Sequence, residues 1–463
     1  MQHTNRMFIL GISILCAFIL LSCKKDNTEE VIITEPAPMP TGYTQYGSPM
    51  SNVPLTSDII MYEVNLRAFS DGGDIQGVID KLDHLQSLHI NVIWLMPIYP
   101  VGTVNAINSP YCIKDYKAVA AEYGNLTKMR ELTTAAHERG MAVIIDWVAN
   151  HTAWDHPWIN AHPEWYTQDA NGAIIHPAGT NWTDVADLNY DNHDMRAAML
   201  DAMKFWVLEA NVDGFRCDHA DGVPFDFWQN TIDSLNSTPN RNLIWLAEGE
   251  RADHFDAGFH MAYSWDFYTS LDNVFNGTSA AALVTTNATE YAAMPAGKRL
   301  LRFTTNHDET AWNATPMALF NGVNGALAAS SIAIFTNGVP LIYTGQEVGS
   351  TVNTPFFSNS TIAWSANPSM KAAYQSMLSF YSSSPAARSG ALTTYASTNV
   401  FCIKKSLNGE EVLLFTNVRN TAQNFTLPSA LANTTWINAL TNEQVVLGTS
   451  IDLAAFQYLI LKL

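Results

Sequence analysis

Four short segments of the chain carry the residue types that acid–base and nucleophilic chemistry require. In chain order they are residues 146–151 (DWVANH), 214–218 (GFRCD), 247–249 (AEG) and 305–308 (TNHD). Each follows an apolar, strand-like run, and each carries a carboxylate, a histidine or both. They lie roughly 30 to 70 residues apart, about the length of one or two strand–helix units. A barrel of parallel strands would therefore bring them together at one rim.

Three of the acids, Asp218, Glu248 and Asp308, are predicted to end strands on the same face of such a barrel. Like charges in a partly dry cleft raise the pKa of one acid, which leaves a protonated acid beside an ionised nucleophile. That division of labour is what cleavage of a glycosidic bond needs. Arg216 lies two residues before Asp218, so on a strand it points to the same side and would keep Asp218 ionised.

Two histidines of these segments, His151 and His307, are suited to hold sugar hydroxyls. As neutral donors they could also stabilise charge that grows in the transition state. The segments contain no run of closely spaced His and Cys of the kind that binds a catalytic zinc ion. The residue types therefore favour carboxylate chemistry over metal-dependent hydrolysis.

The four segments resemble the four signature regions of the α-amylase family, glycoside hydrolase family 13. The resemblance covers about residues 50 to 463 and includes further matching segments. These segments are residues 60–64 (IMYEV), 93–98 (IWLMPI), 109–111 (SPY) with 115–116 (DY), 185–189 (VADLN) and 340–347 (PLIYTGQE). The resemblance implies a (β/α)8 barrel that carries an inserted loop domain and a C-terminal β-domain.

The resemblance also implies roles for individual residues. Asp218 matches the nucleophile, Glu248 the general acid/base, and Asp308 the third acid, which grips sugar hydroxyls and helps to distort the ring. Other positions match residues that surround the attacked sugar, namely Tyr111, Asp146, His151, Arg216 and His307. The implied reaction is a retaining double displacement that cleaves α-1,4-glucosidic bonds in starch-type polysaccharides or maltooligosaccharides.

Two other functions stay open at this point. One is a transglycosylase, or an enzyme acting on α-1,6 bonds, trehalose or sucrose, within the same family. The other is a glycan-binding lipoprotein without catalysis, although binding alone gives no reason to keep Asp218, Glu248 and Asp308 together. Release of reducing ends from maltooligosaccharides would separate the non-catalytic function from the enzymatic ones.

A structural calcium ion is a further expectation that the resemblance leaves open. Asn150 and Asp187 match positions that often bind calcium in the family, with the carbonyl group of Gly222 as a third ligand, and oxygen ligands suit this cation. Many relatives carry Lys-His three and four residues after the nucleophile, where this chain has Asp221-Gly222. No organic cofactor is expected.

Composition excludes some classes of partner. The formal net charge is −19 and the sequence pI is about 4.9, which argues against nucleic acids and anionic membrane surfaces as partners. Of the five cysteines, three (Cys112, Cys217 and Cys402) follow the N-terminal segment, and their wide spacing predicts neither disulfides nor a zinc site. Tryptophans 154 and 182 are weaker candidates for sugar stacking, with packing in the core as the favoured alternative.

The N-terminal segment has the pattern of a targeting signal. Arg6 precedes an apolar run over residues 7–21, which is too short to span a bilayer as a helix. A transmembrane anchor is the less favoured alternative to a cleaved signal. The run ends in residues 20–23 (LLSC), which resemble the bacterial lipobox whose cysteine is lipidated, here Cys23. We therefore expect a protein held by lipid at a bacterial cell membrane. The outer membrane is favoured, and the sequence does not distinguish its periplasmic face from its outer face.

Apolar runs and helical patterns alternate along most of the chain. Strands are predicted at residues 59–64, 91–96, 142–147, 212–217, 243–247, 259–263, 300–305 and 340–343. Eight such strands favour a closed parallel barrel, that is, an α/β TIM barrel. The predicted organisation is a lipoprotein signal peptide (1–22), a flexible tether (23–57), the catalytic barrel (58–388) with an inserted loop domain (151–191), and a C-terminal antiparallel β-sandwich (389–463).

Overall fold

The computed structural model describes residues 42–395 and 397–463. The predicted signal peptide, the lipidation site at Cys23 and the first part of the predicted tether lie outside the described residues. No helix within the described ranges is both long enough and apolar enough to cross a membrane.

Eight parallel strands form a closed barrel, as the sequence predicted. The first ten strands in chain order are β1 (Met61–Val64), β2 (Val92–Leu95), β3 (Ala142–Val148), β4 (His151–Ala153), β5 (Val185–Asp187), β6 (Gly214–Asp218), β7 (Ile244–Ala247), β8 (Met261–Tyr263), β9 (Arg299–Arg302) and β10 (Val339–Tyr343). All but β4 and β5 belong to the barrel, in the order β1–β10–β9–β8–β7–β6–β3–β2. The (β/α)8 barrel is therefore confirmed.

The barrel strands are buried on both faces, which explains their nearly continuous apolar sequences. Every residue of β3 is buried, for example, although the strand contains Asp146. The barrel interior is filled by side chains such as Met61, Trp94 and Leu246. A charged residue in such a strand is therefore an exception that packing does not explain.

Helices surround the barrel and connect its strands. They are α1 (Leu66–Phe69), α2 (Ile75–Asp80), α3 (Leu82–Ser87), α4 (Leu126–His137), α5 (Pro157–Ala161), α6 (His193–Glu209), α7 (Phe225–Asn236), α8 (Trp265–Phe275), α9 (Ala281–Tyr291), α10 (His307–Trp312), α11 (Pro316–Leu319), α12 (Val323–Phe335), α13 (Pro368–Ser383) and α14 (Pro385–Ser389). Short 3₁₀ helices span Thr56–Asp58, Pro163–Trp165, Ala220–Gly222, Ala252–His254 and Gln346–Val348.

The predicted loop domain follows β3. Its strands β4 and β5 pair in antiparallel fashion, with His151 opposite Asp187. The intervening chain contains α5 and a 3₁₀ helix, and isolated bridges join it to the same small sheet. The insertion thus places His151 and Asp187 on a separate small sheet at the carboxyl end of the barrel.

The C-terminal domain is antiparallel, as predicted. Its strands are β11 (Ala391–Tyr395), β12 (Val400–Leu407), β13 (Glu410–Asn417), β14 (Gln423–Thr426), β15 (Thr435–Asn438), β16 (Gln444–Val446), β17 (Ser450–Leu453) and β18 (Tyr458–Lys462). Six of them form one sheet in the order β11–β12–β13–β18–β15–β16, and β14 pairs with β17. Phe415, Trp436 and Leu453 contribute to the core of this domain.

The described part of the predicted tether, residues 42–57, lies against the barrel. The hydroxyl group of Tyr43 donates to Asp201 Oδ2 at 2.7 Å, and the N–H group of Tyr46 donates to the carbonyl oxygen of Leu208 at 2.8 Å. Both acceptors belong to α6. The aromatic and polar side chains of this segment therefore bind it to the catalytic unit, which corrects the expectation of a loose tether up to residue 57.

Candidate active site

A cleft of about 680 Å³ opens where the barrel strands end. Six of the eight residues that the sequence analysis assigned to catalysis or substrate binding line it, namely Tyr111, His151, Asp218, Glu248, His307 and Asp308. The other two, Asp146 and Arg216, are fully buried beneath it. Residues from five distant segments thus meet in one cavity, as the barrel prediction required.

Arg216 is the centre of this arrangement. Its guanidinium Nη1 lies 2.9 Å from Asp146 Oδ1 and 2.8 Å from Asp218 Oδ1, while Nη2 lies 3.0 Å from Glu248 Oε1. The sequence predicted only the contact with Asp218. One fixed positive charge therefore touches three carboxylates and holds Asp218 and Glu248 close together on the same side of the cleft.

Strand alternation in β6 explains this placement. Arg216 and Asp218 lie two residues apart, so both side chains point to the cleft, while Cys217 between them points away. Cys217 is fully buried, and burial raises the pKa of its thiol well above the usual range. Cys217 is therefore a packing residue, as expected from its position.

Asp146 supports the site from below. It accepts hydrogen bonds from Trp94 Nε1 at 3.2 Å and from the Tyr111 hydroxyl group at 3.1 Å. Burial raises its pKa to about 7, against the opposing effect of Arg216 and with a further increase from the charge of Asp218. Because Asp146 is fully buried, it would act on the sugar through Tyr111 and Arg216, which it positions.

The acidic neighbours of His307 favour its charged form, whereas the sequence analysis expected a neutral donor. Its Nδ1 lies 2.5 Å from Glu63 Oε1, and its Nε2 lies 2.7 Å from the Tyr111 hydroxyl oxygen and 3.4 Å from Asp308 Oδ2. Burial lowers its pKa, but the charges of Asp308 and Glu63 outweigh burial and raise the pKa to about 9. Both ring nitrogens have a polar partner, and the surroundings of His307 favour the imidazolium at neutral pH.

Glu63 is a site residue that the sequence analysis missed. It lies in β1, is fully buried, and has a pKa raised by burial, with His307 opposing that effect. The available signal was a carboxylate within an otherwise apolar strand, where burial of an unpaired charge is costly. Glu63 requires a cationic partner, and His307 is that partner.

His151 stays neutral, in agreement with the prediction. Burial and the nearby His219 lower its pKa to about 4. Its Nδ1 lies 3.2 Å from Asn150 Nδ2, and its ring packs edge-to-face against Trp182 at a centroid distance of 5.7 Å. His151 can therefore donate or accept a hydrogen bond in the cleft without adding charge.

Glu248 is held by the backbone as well as by Arg216. The N–H group of His219 donates to Glu248 Oε2 at 2.8 Å. His219 adopts left-handed backbone angles, with φ 41° and ψ 48°, a strained conformation for a residue other than glycine. Such strain at a residue that contacts the predicted general acid is typical of a functional site.

An imidazole ring beside Asn150 and Gly222 argues against calcium at the site predicted from the sequence. A Cβ atom at Gly222 would lie 2.4 Å from Asn150 Oδ1, but also 2.5 Å from Cδ2 and 2.8 Å from Nε2 of His219. Asn150 and the imidazole ring of His219 thus both lie directly against Gly222. Calcium takes about six to eight oxygen ligands, and an imidazole nitrogen is not among those it prefers. A side chain at position 222 would require Asn150 or the His219 ring to move.

Comparisons with known proteins agree with this geometry. The α-amylase catalytic domain model matches residues 26–171 and 179–392. Alpha-amylase 3 of Dictyoglomus thermophilum is 28% identical over 346 residues, which cover 64% of this chain and 65% of that protein. The trehalose synthase/amylase TreS of Mycobacterium tuberculosis is 35% identical over 210 residues, or 36% of this chain and 33% of that protein.

These matches span less than two thirds of the length of the two curated relatives. Among solved structures, an alpha-amylase from Lactobacillus plantarum superimposes with a TM-score of 0.80 at 28% identity. That superposition covers 88% of this chain and 99% of the Lactobacillus chain. The similarity to this structure therefore includes both the barrel and the C-terminal domain.

Proposed function

Because the chain belongs to the α-amylase family of glycoside hydrolases, we propose that it is a retaining hydrolase of α-1,4-glucosidic bonds. Its substrates are starch-type polysaccharides or maltooligosaccharides. One observation carries this proposal: a single buried guanidinium, that of Arg216, contacts both Asp218 and Glu248 at the floor of one cleft. Retention requires two carboxyl groups at a separation of about 5 Å, and this shared contact keeps the pair close.

In the first step, a carboxylate oxygen of Asp218 attacks the anomeric carbon and the bond from that carbon to the leaving oxygen breaks. Glu248 donates its proton to the leaving oxygen, so the departing sugar leaves as a neutral alcohol. Arg216 Nη1, 2.8 Å from Asp218 Oδ1, holds the nucleophile in position for the attack. The product of this step is a covalent glycosyl-enzyme ester on Asp218.

In the second step, Glu248, now a carboxylate, takes a proton from a water molecule. The water oxygen bonds to the anomeric carbon while the ester bond to Asp218 breaks. Two inversions give net retention of the α-configuration. Asp218 and Glu248 thereby return to their starting protonation states.

The remaining cleft residues hold the sugar during both steps. Asp308, with about a third of its side chain exposed, grips sugar hydroxyls, and the His307 imidazolium beside it fixes its orientation. Tyr111 is held by hydrogen bonds to Asp146 and His307, so its ring offers a fixed surface to the sugar. Such preorganised groups stabilise the charge that develops in the transition state.

The test is a product analysis with a matched pair of variants. Wild-type protein is incubated with starch, maltooligosaccharides, cyclodextrins, pullulan, trehalose and sucrose, and the size and anomeric form of the products are measured by chromatography and NMR. We expect α-anomeric products from α-1,4-linked substrates. Asp218→Asn should lose nearly all turnover with its fold intact, whereas Asp226→Asn, the same change at an exposed acid on α7, should not.

A second candidate function is transfer to a sugar acceptor, or action on α-1,6 bonds, trehalose or sucrose. The match to the trehalose synthase/amylase TreS favours keeping this candidate. It differs from hydrolysis in whether water or a sugar enters the acceptor side. Products longer than the substrate would favour transfer, whereas a wild-type rate for Asp218→Asn would contradict the nucleophile in both candidates.

We also propose that the protein is anchored by lipid at a bacterial membrane, with the outer membrane favoured. The support is the lipobox-like sequence at residues 20–23. Expression in a bacterial host with radiolabelled palmitate should label the wild type and the Cys16→Ala control. Cys23→Ala should remain unlabelled and partition into the aqueous phase of Triton X-114, and labelling of this variant would contradict the proposal.

A further inference from the structure

Four aromatic side chains form one continuous wall of the cleft. They are Tyr111, Phe356, Trp312 and Phe357, and all four line the cavity. Tyr111 and Phe356 stack with ring centroids 5.5 Å apart, Phe356 contacts Trp312 at 5.5 Å, and Trp312 contacts Phe357 at 5.7 Å. This aromatic wall therefore extends from the predicted reaction centre to the rim of the cleft.

Trp312 is the exposed end of the aromatic wall. Its exposed fraction is 64%, and among the described residues it is the only Trp, Tyr or Phe that is exposed rather than buried or half-buried. Tryptophan usually buries a large area, so an indole ring left in water at a cavity rim indicates a ligand surface. Packing within the chain does not account for this position.

The aromatic wall is held in place from behind. Asn108 Nδ2 donates to the carbonyl oxygen of Phe357 at 2.6 Å, and Arg67 Nη1 contacts the carbonyl oxygen of Phe356 at 3.4 Å. Arg67 is itself buried, with 3% of its side chain exposed. A surface fixed in this way loses little conformational entropy when a ligand binds.

The position of Trp312 indicates which part of a substrate it would meet. Trp312 lies four residues after Asp308 on α10, so the two side chains share one helix face. Glu248 gives its proton to the leaving group, so the residues next to it, such as Gly249 and Asp221, face the leaving group. Asp308 follows β9 and Phe356 follows β10, which lie two and three strands away from β7 in the barrel order. Since Glu248 follows β7, we place the retained sugar chain on the side of Asp308 and Phe356.

We propose that the aromatic wall is a binding site for a neutral glucosyl residue on the non-reducing side of the cleaved sugar, with Trp312 as its stacking residue. This inference rests on the proposed function and makes it more specific. The C–H groups on a glucopyranose face carry partial positive charge, which suits the negative face of an indole ring. The wall contains no charged side chain, so the favoured ligand is an uncharged maltooligosaccharide chain.

The experiment compares substrates that do and do not reach the aromatic wall. kcat/KM is measured for 4-nitrophenyl α-glucoside, which has one glucosyl residue, and for 4-nitrophenyl α-maltoheptaoside. In Trp312→Ala, kcat/KM for the maltoheptaoside divided by kcat/KM for the glucoside should fall about tenfold. In Trp312→Phe, this ratio should lie close to the wild-type value. Val446→Ala, at a 71% exposed apolar residue of the C-terminal domain, is the matched control.

A wild-type ratio in an active Trp312→Ala enzyme would overturn the inference. A change in oligomeric state with a constant ratio would assign the surface to a protein contact and would overturn it too. If the wild type hydrolyses neither substrate, the proposed function fails first. Calorimetric titration with maltoheptaose then still decides the inference, because Trp312→Ala must weaken that binding about tenfold and Val446→Ala must not.

Discussion

Replacement of Arg216 tests how the site is held together. Its fully buried guanidinium touches Asp146, Asp218 and Glu248. Removal of one partner from a buried ion pair costs about 3–5 kcal/mol, because a charge is left uncompensated. Arg216→Gln should therefore reduce the free energy of unfolding by about that amount near pH 8.

The destabilisation should depend on pH in a defined direction. Burial raises the pKa of Asp146 from 3.8 to about 7 even beside Arg216, so the folded protein holds a proton that the unfolded chain releases. The folded state therefore loses stability as pH rises from about 4 to 7. Loss of Arg216 extends this pH range to higher values, because the charge that opposes protonation of Asp146 is removed. We expect Arg216→Gln to reduce the free energy of unfolding less at pH 5.5 than at pH 8. The difference should be about 1.4 kcal/mol for each pH unit by which the variant's Asp146 keeps its proton beyond the wild-type range.

Arg216→Lys separates charge from geometry. A lysine keeps the positive charge but cannot contact Asp218 and Glu248 with two nitrogens of one planar group. We expect a smaller loss of stability than in Arg216→Gln, with kcat still reduced about 10²-fold because the nucleophile is misplaced.

The assays for these variants are urea unfolding at pH 5.5 and pH 8, and maltooligosaccharide hydrolysis. Arg139→Gln, which breaks a contact with the exposed Asp83, is the control and should cost less than about 1 kcal/mol. The reasoning fails if Arg216→Lys retains kcat within tenfold of the wild type. It also fails if Arg216→Gln is destabilised equally at both pH values.

Three further predictions concern the acids, His307 and metal ions. Glu248→Gln should slow hydrolysis about 10²-fold or more and remove the alkaline limb of the pH–rate profile; a wild-type rate with the same limb would contradict its acid/base role. Glu63→Gln should lower the pKa of His307 from about 9, because the carboxylate 2.5 Å from Nδ1 is lost. In the wild type, the stability that His307 contributes is complete below pH 6.5 and is lost as pH rises through about 9, and the variant should lack much of it. NMR titration of the ring checks this, and a pKa that stays near 9 would assign the shift to Asp308 alone. Dialysis against EDTA should leave the melting temperature and kcat as they were, because an imidazole ring, that of His219, adjoins Gly222 beside Asn150; a decrease that calcium reverses would contradict this.

Much of the fold could be predicted because local patterns agree with one another. The eight barrel strands are apolar runs, since parallel strands covered on both faces tolerate few polar residues. The insertion after β3 was visible as a stretch too long for an ordinary strand–helix loop. The segment at residues 43–48 was misjudged, because its composition resembles that of a linker while its hydrogen bonds to α6 depend on distant residues.

The convergence of the six cleft-lining residues was also predictable, because parallel barrel strands end at the same rim. The charge of His307 was not, since it depends on Glu63, which lies 244 residues away along the chain. The poor fit to calcium was equally hidden, because it depends on where the His219 ring points. Contacts between residues distant in sequence leave no local pattern.

The sequence by itself determined the barrel, the carboxylates and the side of β6 on which Arg216 and Asp218 lie, because strand alternation is a property of the local backbone. Only the tertiary structure decided that Arg216 also holds Glu248, that Asp146 lies beneath the cleft, and that Trp312 remains exposed at its rim. Distance, burial and charge arise when separate elements pack together, and these quantities set the protonation and the reach of each side chain.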